Sequence, residues 1–330
     1  MTDALLQVDD LRVSFVVGGR ELRAVDGVSF SVDPGRTLAI IGESGSGKTV
    51  CCRAIMGLLP LGTAIGGSAR LRGAELIGLS DAELRKHRGS DIAMVFQDPA
   101  RSLNPTMRIG VQITEAIRTH RKVSRHEAQT QAIELLRLVR IPAAERRFHE
   151  YPHQLSGGMR QRVVIAIALA CRPKLLMADE ATTSLDVTTQ AQIMELLLEL
   201  QHELDMALVL ISHDMGLAAS YADEVIVMYA GKIVEQAPAL RLFGAGGAVR
   251  MRYTRALLDA VPHLERPAHS PLPIVGGRPP DPTALPPGCS FAPRCGSAAD
   301  DCVAKAPALL EHAPNHRWAC WHPCENGGVA

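Results

Sequence analysis

One octapeptide constrains this chain more than any other feature. Gly42-Glu43-Ser44-Gly45-Ser46-Gly47-Lys48-Thr49 follows a short apolar run, Thr37 to Ile41, and opens a helical pattern from about Lys48 to Leu58. It fits G-x-x-x-x-G-K-[ST] in the strand–loop–helix setting that gives this pattern its meaning. The glycines let successive backbone N–H groups turn inward on phosphate oxygens. The helix that starts there points its positive end at the anion. In such a loop Lys48 is expected to reach the β- and γ-phosphates, and the Thr49 hydroxyl to ligate Mg²⁺.

A matching half lies much later. Leu175-Leu176-Met177-Ala178-Asp179-Glu180 reads as a buried strand ending in two acids. Asp179 is placed to hold Mg²⁺. Glu180, one residue on, leaves the strand end on the other side and can polarise an attacking water. A helix over Thr188 to Leu204 and a strand over Ala207 to Ser212 continue the β-α-β alternation, which predicts a parallel, doubly wound sheet.

Around this core, Leu5 to Val32 reads as strands with a hairpin turn at Gly18-Gly19. Ala69 to Ser90 reads as a strand and a short helix, and Ile92 to Phe96 as a buried strand. About Ile109 to Ala170 is almost wholly helical in pattern, an insertion. Glu224 to Tyr229 and Lys232 to Glu235 form a second hairpin. Composition shifts after Ala260: Pro262 to Gly288 is a proline-rich arm, followed by a cysteine-rich segment and a short frayed tail from Glu325. The expected division is 1–260, with the helical part at about 100–172, and 261–330.

Composition narrows the function classes. The 330 residues are 47% apolar, and 35 basic residues balance 35 acidic ones, so no global charge favours nucleic acid or anionic lipid. The most apolar stretch, Val163 to Cys171, is far shorter than the ~20 residues of a membrane-spanning helix. Met1 to Asp10 carries acids where an export signal would be apolar. Any membrane role is therefore expected to be peripheral.

The segment Leu155-Ser156-Gly157-Gly158-Met159-Arg160-Gln161 narrows the reading further. Ser-Gly-Gly before a helix makes a second anion-binding terminus. Two such termini in one chain suggest that two chains share each nucleotide. The segment resembles the LSGGQ signature of ABC ATPases, with Met159 in place of glutamine, as in the peptide-transporter branch. The resemblance runs from about Leu5 to Cys324. It implies an α/β P-loop ABC ATPase with a RecA-like parallel core, an antiparallel β subdomain and a helical insertion.

It also implies roles by position. Gln97 matches the Q-loop glutamine that ligates Mg²⁺, and Ser184-Leu185-Asp186 matches the D-loop. His213 matches the switch histidine that contacts the γ-phosphate, and Phe15 the aromatic that stacks on adenine. Catalysis is then expected from Glu180, His213 and Gln97. ATP is expected on Phe15, Gly42, Glu43, Ser44, Gly45, Ser46, Gly47, Lys48, Thr49, Gln97 and His213. Mg²⁺ falls to Thr49, Gln97 and Asp179, and Ser156, Gly157 and Gly158 act on the partner's nucleotide. One departure is Ala181, where the family usually has proline.

Phe96-Gln97-Asp98-Pro99, Ser102-Leu103-Asn104-Pro105 and the tail Pro286 to Cys295 are similar to the oligopeptide, dipeptide and nickel import group. Membership implies an ATPase that powers import of peptides or a related small solute. It implies a second ATPase subunit, identical or homologous, two membrane permeases, an extracytoplasmic binding protein and a place on the cytoplasmic face of the inner membrane. No nucleic-acid partner is expected. A soluble, non-transport ABC ATPase is the alternative, but such proteins carry long coiled-coil insertions or two ATPase units, and this chain shows neither.

Cys51, Cys52 and Cys171 sit in apolar helical contexts, while Cys289, Cys295, Cys302, Cys320 and Cys324 crowd the tail. The tail cysteines resemble the ligands of a [4Fe–4S] cluster in related subunits, which implies such a cluster on Cys289, Cys295, Cys302 and Cys320, with His316 and His322 as alternates. Zinc and unligated thiols remain the other readings.

Overall fold

The computed structural model describes residues 4–183, 185–261 and 274–325. The chain forms two compact units, and elements are numbered along the chain. The first unit is built from the described parts of Met1–Val32, Thr37–Gly78 and Leu210–Ala330. The second comprises Asp33–Arg36 and the described parts of Leu79–Val209.

In the first unit, β1 (Leu6–Val17) and β2 (Arg20–Val32) form the hairpin expected at Gly18-Gly19. β4 (Ala64–Leu71) and β5 (Ala74–Glu75) extend it to an antiparallel sheet in the order β2-β1-β4-β5. Leu6, Val8, Leu11 and Val13 of β1 are buried. A register shift between Val8 and Leu11 keeps Leu11 on the inner side despite the odd spacing.

The second sheet of this unit contains the strand that delivers the phosphate loop. β3 (Thr37–Ile41), buried at all five positions, runs parallel to β9 (Glu224–Tyr229), with Leu38 opposite Glu224 and Ile41 opposite Val227. Strands buried along their whole length read as continuous apolar runs, as here. β9 pairs antiparallel with β10 (Lys232–Pro238). Helices α1 (Lys48–Ile55), α9 (Met215–Tyr221), α10 (Ala239–Phe243), α11 (Arg252–Asp259) and α12 (Asp300–Ala304) complete the unit.

The tail departs from the sequence reading. It adds two short strands, β11 (Leu310–Ala313) and β12 (His316–Trp318), and β12 pairs with β10, Trp318 opposite Glu235. Strands of four and three residues, rich in His, Arg and Glu, carry no alternation that would announce them. Of the proline-rich arm, 262–273 lie outside the described residues, and 274–288 contain no regular element.

The second unit holds the parallel pair β6 (Ile92–Val95) and β7 (Leu175–Asp179), both buried throughout. Its helices are α2 (Asp81–His87), α3 (Pro99–Ser102), α4 (Ile109–His120), α5 (Arg125–Leu138), α6 (Ala144–Arg147), α7 (Gly157–Ala168) and α8 (Val187–Leu204). Ser80 with Glu83, and Ser124 with Glu127, form capping boxes that start α2 and α5. Ile109, Ile113 and Ile117 make one buried stripe of α4; Ala128, Ala132 and Leu136 make another on α5. Each large apolar side chain in these stripes contributes about 1.5–3 kcal/mol of burial. β8 (Ala207–Ser212) carries the chain back to the first unit.

The segment that follows Gln97 opens with the short helix α3. Asp98 accepts from Ala100 N at 2.9 Å and Pro99 occupies the first helical position, which together start a turn of helix. The rest of the segment is pinned by Gln112, whose amide donates to Asn104 O at 3.0 Å and Met107 O at 2.9 Å.

Candidate nucleotide site

In the first unit the phosphate loop joins β3 to α1. Gly42, Gly45 and Gly47 all have positive φ, at 153°, 81° and 102°. A Cβ at Gly42 would lie 2.2 Å from Met228 O, and one at Gly47 would lie 2.3 Å from Ala24 O. Glycine is therefore required at both by contact as well as by conformation. Lys48, 4% exposed, donates through Nζ to Gly42 O at 2.7 Å and Glu43 O at 2.9 Å. The ammonium thus lies along the inside of the loop. The buried Ser46 Oγ has no hydrogen-bond partner among the described residues. A buried hydroxyl left open in a glycine-rich loop before a helix fits an anion. Thr49 is half-buried in the first turn of α1. Phe15 is half-buried on β1 opposite Leu22, and His213 is exposed just after β8, beside Asp214, which caps α9.

In the second unit Asp179 ends β7, 2% exposed, and Glu180 follows with φ 47°. Gln97, exposed beyond β6, donates through Nε2 to Glu180 Oε2 at 2.7 Å. Parallel pairing of β6 with β7 brings the two strand ends to the same edge, which is how positions 83 residues apart meet. The left-handed backbone at Glu180 fits the departure at Ala181. A proline restricts the residue before it to extended backbone, and alanine does not.

Ser156 caps α7, accepting from Met159 N at 3.3 Å. A Cβ at Gly158 would lie 2.7 Å from Thr189 Cγ2, and one at Gly157 3.6 Å from Leu185 Cδ2. The signature glycines therefore pack on the start of α8, which Asp186 caps through Thr189 N at 3.0 Å. Of the D-loop residues, Ser184 lies outside the described residues.

Cys289, Cys295, Cys302 and Cys320 line one small pocket with Met251, Arg252, Phe291, Trp321 and His322. Burial pushes the Cys320 thiol up to about 11, and that of Cys289 upward, with the neighbouring thiols adding to both. Of the alternates, His316 is committed elsewhere: Nε2 lies 2.8 Å from buried Glu235. His322 Nε2 lies 2.9 Å from Asp301. Cys51 and Cys52 are fully buried, and burial pushes the Cys51 thiol up to about 12, as an inert core thiol requires.

Comparison with known proteins decides the family. The ABC transporter profile matches residues 25–183, and that of the oligopeptide/dipeptide transporter C-terminal region matches 234–302. The oligopeptide transport ATP-binding protein OppD of Escherichia coli is 47% identical over 323 residues, covering 98% of this chain and 94% of OppD. OppD of Bacillus subtilis is also 47% identical over 323 residues, covering 97% and 89%. The chain belongs to the ABC transporter ATP-binding subunits of the oligopeptide, dipeptide and nickel import group. It is an ATPase of ABC-type import. The dimeric ATP-binding cassette MJ0796, in a post-hydrolysis state with ADP and Pi, superposes with a TM-score of 0.64 at 28% identity. The match covers 71% of this chain and 98% of that one. No helix among the described residues of this ATP-binding subunit is long and apolar enough to cross a bilayer.

Motif reading missed two groups that bear on the loop of this ATP-binding subunit. Tyr253 on α11 accepts at Oη from Glu43 N at 2.8 Å, and Arg294 of the cysteine segment pairs with the Glu43 carboxylate. Neither stands in a nucleotide motif, and each lies more than 200 residues from Glu43 in sequence.

Proposed function

We propose that this subunit binds MgATP on Gly42–Thr49 and hydrolyses it with Glu180 as the base that activates water, to drive peptide import. Lys48 and the loop amides hold the phosphates, and Phe15 stacks on the base. Thr49, Asp179 and Gln97 hold Mg²⁺, and His213 senses the γ-phosphate. Ser156, Gly157 and Gly158 act on nucleotide carried by a second ATPase chain, identical or homologous. The observation that carries this reading is the glycine-required loop with Lys48 lying along its inner side and a Ser46 hydroxyl that has no partner among the described residues. Residues 1–260 supply the ATPase and 261–330 the arm and cysteine segment.

Two membrane permeases and an extracytoplasmic binding protein complete the proposed importer, on the cytoplasmic face of the inner membrane. Peptides are the proposed cargo because the OppD relatives are named for oligopeptide transport. The exposed segment after Gln97, carrying Arg101, is the proposed seat of a permease coupling helix. The test is reconstitution with the permeases and binding protein. Peptide uptake that requires ATP and is lost in Lys48→Ala supports the reading. ATP hydrolysis with no dependence on the permeases or the binding protein would favour a soluble, non-transport role instead.

Cys289, Cys295, Cys302 and Cys320 are further proposed to hold a [4Fe–4S] cluster. The chemistry of the lining fits: four thiols supply the ligand set, the Arg252 guanidinium offsets the negative charge of thiolates, and the buried Phe291 shields one side from water. Cys289, Cys295, Cys302 and Cys320 would hold the group, which would tie the tail segment together. A zinc reading has a smaller basis in Asp301, Cys302 and His322, whose ligand atoms lie within 4.8 Å of one another. Metal analysis of anaerobically purified protein separates the two.

A further inference from the structure

Arg294 lies between Pro293 and Cys295, at the end of a short 3-10 turn over Ala292–Arg294. Its side chain is only 3% exposed. Nη1 donates to Glu43 Oε2 at 2.7 Å and Nη2 to Glu43 Oε1 at 2.9 Å, a two-pronged pairing. Nη1 also reaches Tyr229 Oη at 3.3 Å, Nε donates to Gly276 O at 2.7 Å, and Nη2 to Val275 O at 3.2 Å. The guanidinium lies 5.8 Å from the Tyr229 ring centre and 5.9 Å from that of Phe291. It is thus fixed by five hydrogen bonds and two aromatic rings.

Glu43 is fixed as well. Its N–H donates to Tyr253 Oη at 2.8 Å, and its carbonyl accepts from Lys48 Nζ at 2.9 Å and Ser46 N at 3.2 Å. Tyr229, Tyr253 and Phe291 pack on one another with centroids 4.5 to 5.4 Å apart. The cysteine segment therefore supplies two of the groups, Phe291 and Arg294, that surround the second residue of the phosphate loop.

The charge arrangement gives this a consequence. A loop built for a polyanion carries a carboxylate in its own backbone run. Left unpaired, Glu43 would add a negative charge to the loop that takes the phosphates. A buried ion pair is weak evidence for stability, because desolvation offsets most of the attraction, so folding alone is a poor reason for the pair. Two-pronged Arg–carboxylate geometry, by contrast, fixes position.

The same segment borders the four-thiol pocket. Cys289 N donates to Cys302 O at 2.7 Å, Ala292 N to Cys289 O at 3.0 Å, and Cys295 N to Ala292 O at 3.2 Å. This hydrogen-bonded path carries the placement of the cysteines directly to Arg294.

We propose that Arg294 is a positioning residue of the nucleotide site: it neutralises and holds Glu43, and so makes ATP affinity depend on the order of the four-cysteine pocket. The first half stands on the observed pairing; the second rests on the reading that the thiols hold a bound group.

The experiment measures ATP dissociation constants with a fluorescent nucleotide, alongside KM and kcat of the assembled transporter. Arg294→Ala is expected to weaken ATP binding about tenfold or more, the loss of a charge-assisted pair, with a smaller change in kcat. Adding Glu43→Gln in the same chain should recover most of the loss, because the stranded carboxylate is removed. Packing damage alone would lower the melting temperature and would not be recovered by that second change. Arg294→Lys, which keeps the charge and loses the fork, should fall between and serves if Arg294→Ala does not fold. Unchanged ATP affinity in both variants, or no recovery in the double variant, overturns the positioning role.

A second arm strips iron with ferricyanide and EDTA. Weaker ATP binding in the stripped wild type, with no further weakening in stripped Arg294→Ala, supports the coupling. Equal affinity before and after stripping overturns the coupling alone. Protein that never held iron overturns the cluster reading and with it the coupling, while the charge-recovery arm still decides the role of Arg294.

Discussion

The side-chain amide of Gln97 donates to the carboxylate of Glu180 at 2.7 Å, joining two residues 83 positions apart at neighbouring ends of the parallel strands β6 and β7. The hydrogen bond holds the acid that the proposed mechanism uses as its base. Glu180→Gln keeps the shape and removes the basicity. It is expected to retain ATP binding while lowering phosphate release by the assembled transporter about 10²- to 10⁴-fold, the usual contribution of a general base. A wild-type rate in that variant would remove Glu180 from the role.

Ala181→Pro tests the backbone at the same place. Glu180 has φ 47°, and a following proline drives its predecessor toward extended backbone. The variant is expected to move Glu180 out of the left-handed region and break the bond to Gln97. A crystal structure of the variant with φ still near its present value would show that residue 181 has no part in setting it.

Lys48→Ala removes the ammonium that bonds Gly42 O and Glu43 O. Nucleotide affinity is expected to fall about 10- to 100-fold, the loss of a charge-assisted contact worth about 1.5–3 kcal/mol. Calorimetric titration with MgATP reads it, and undiminished affinity would contradict the proposed phosphate contact.

Ser156→Ala removes the cap of α7, whose Oγ accepts from Met159 N at 3.3 Å. Stability should drop by about 1 kcal/mol. Hydrolysis should slow, while ATP binding by the Gly42–Thr49 loop of the same chain is retained, because the signature is proposed to serve the partner's nucleotide. Full activity at dilutions where the chain is monomeric would exclude that sharing.

Anaerobically purified protein is expected to be brown and to carry about four irons per chain, and Cys295→Ser should bleach it. Colourless protein with stoichiometric zinc, or with no metal, would contradict this. The pH dependence has two opposite signs. Cys320 must lose its proton to bind metal, and burial raises that thiol to about 11 from an ordinary 9.0, so iron retention should strengthen as pH rises and loading should release protons. In metal-free protein the buried thiol favours the protonated form. Its contribution to stability is complete below about pH 9 and is lost as pH rises toward about 11, which alkaline unfolding curves of stripped protein would follow.

Arg101 has a side chain 91% exposed, near Asp98 at 3.3 Å, on the segment proposed to seat a permease. An exposed pair of this kind contributes about 0–1 kcal/mol, so Arg101→Glu should leave the fold intact. Import is expected to fall while nucleotide binding persists. Unchanged peptide uptake would move the docking surface elsewhere.

The phosphate loop, the acid-tipped strand and the signature helix start were legible in the sequence because each is a contiguous piece of chemistry. Glycine spacing, an apolar run and a capping serine act within about ten residues, and local backbone geometry carries them into any fold that contains them. The helical character of Ile109 to Ala170 was legible for the same reason, since helical periodicity is a property of neighbours. Only the tertiary structure decided which distant groups meet. Glu43 and Arg294 are 251 residues apart, and no periodic pattern connects them; they meet because β3, β9 and the cysteine segment converge behind the loop. The tail strands β11 and β12 were equally silent, because a strand of three or four mixed residues is defined by the edge it pairs with, β10 for β12 and β12 for β11, and not by its own composition.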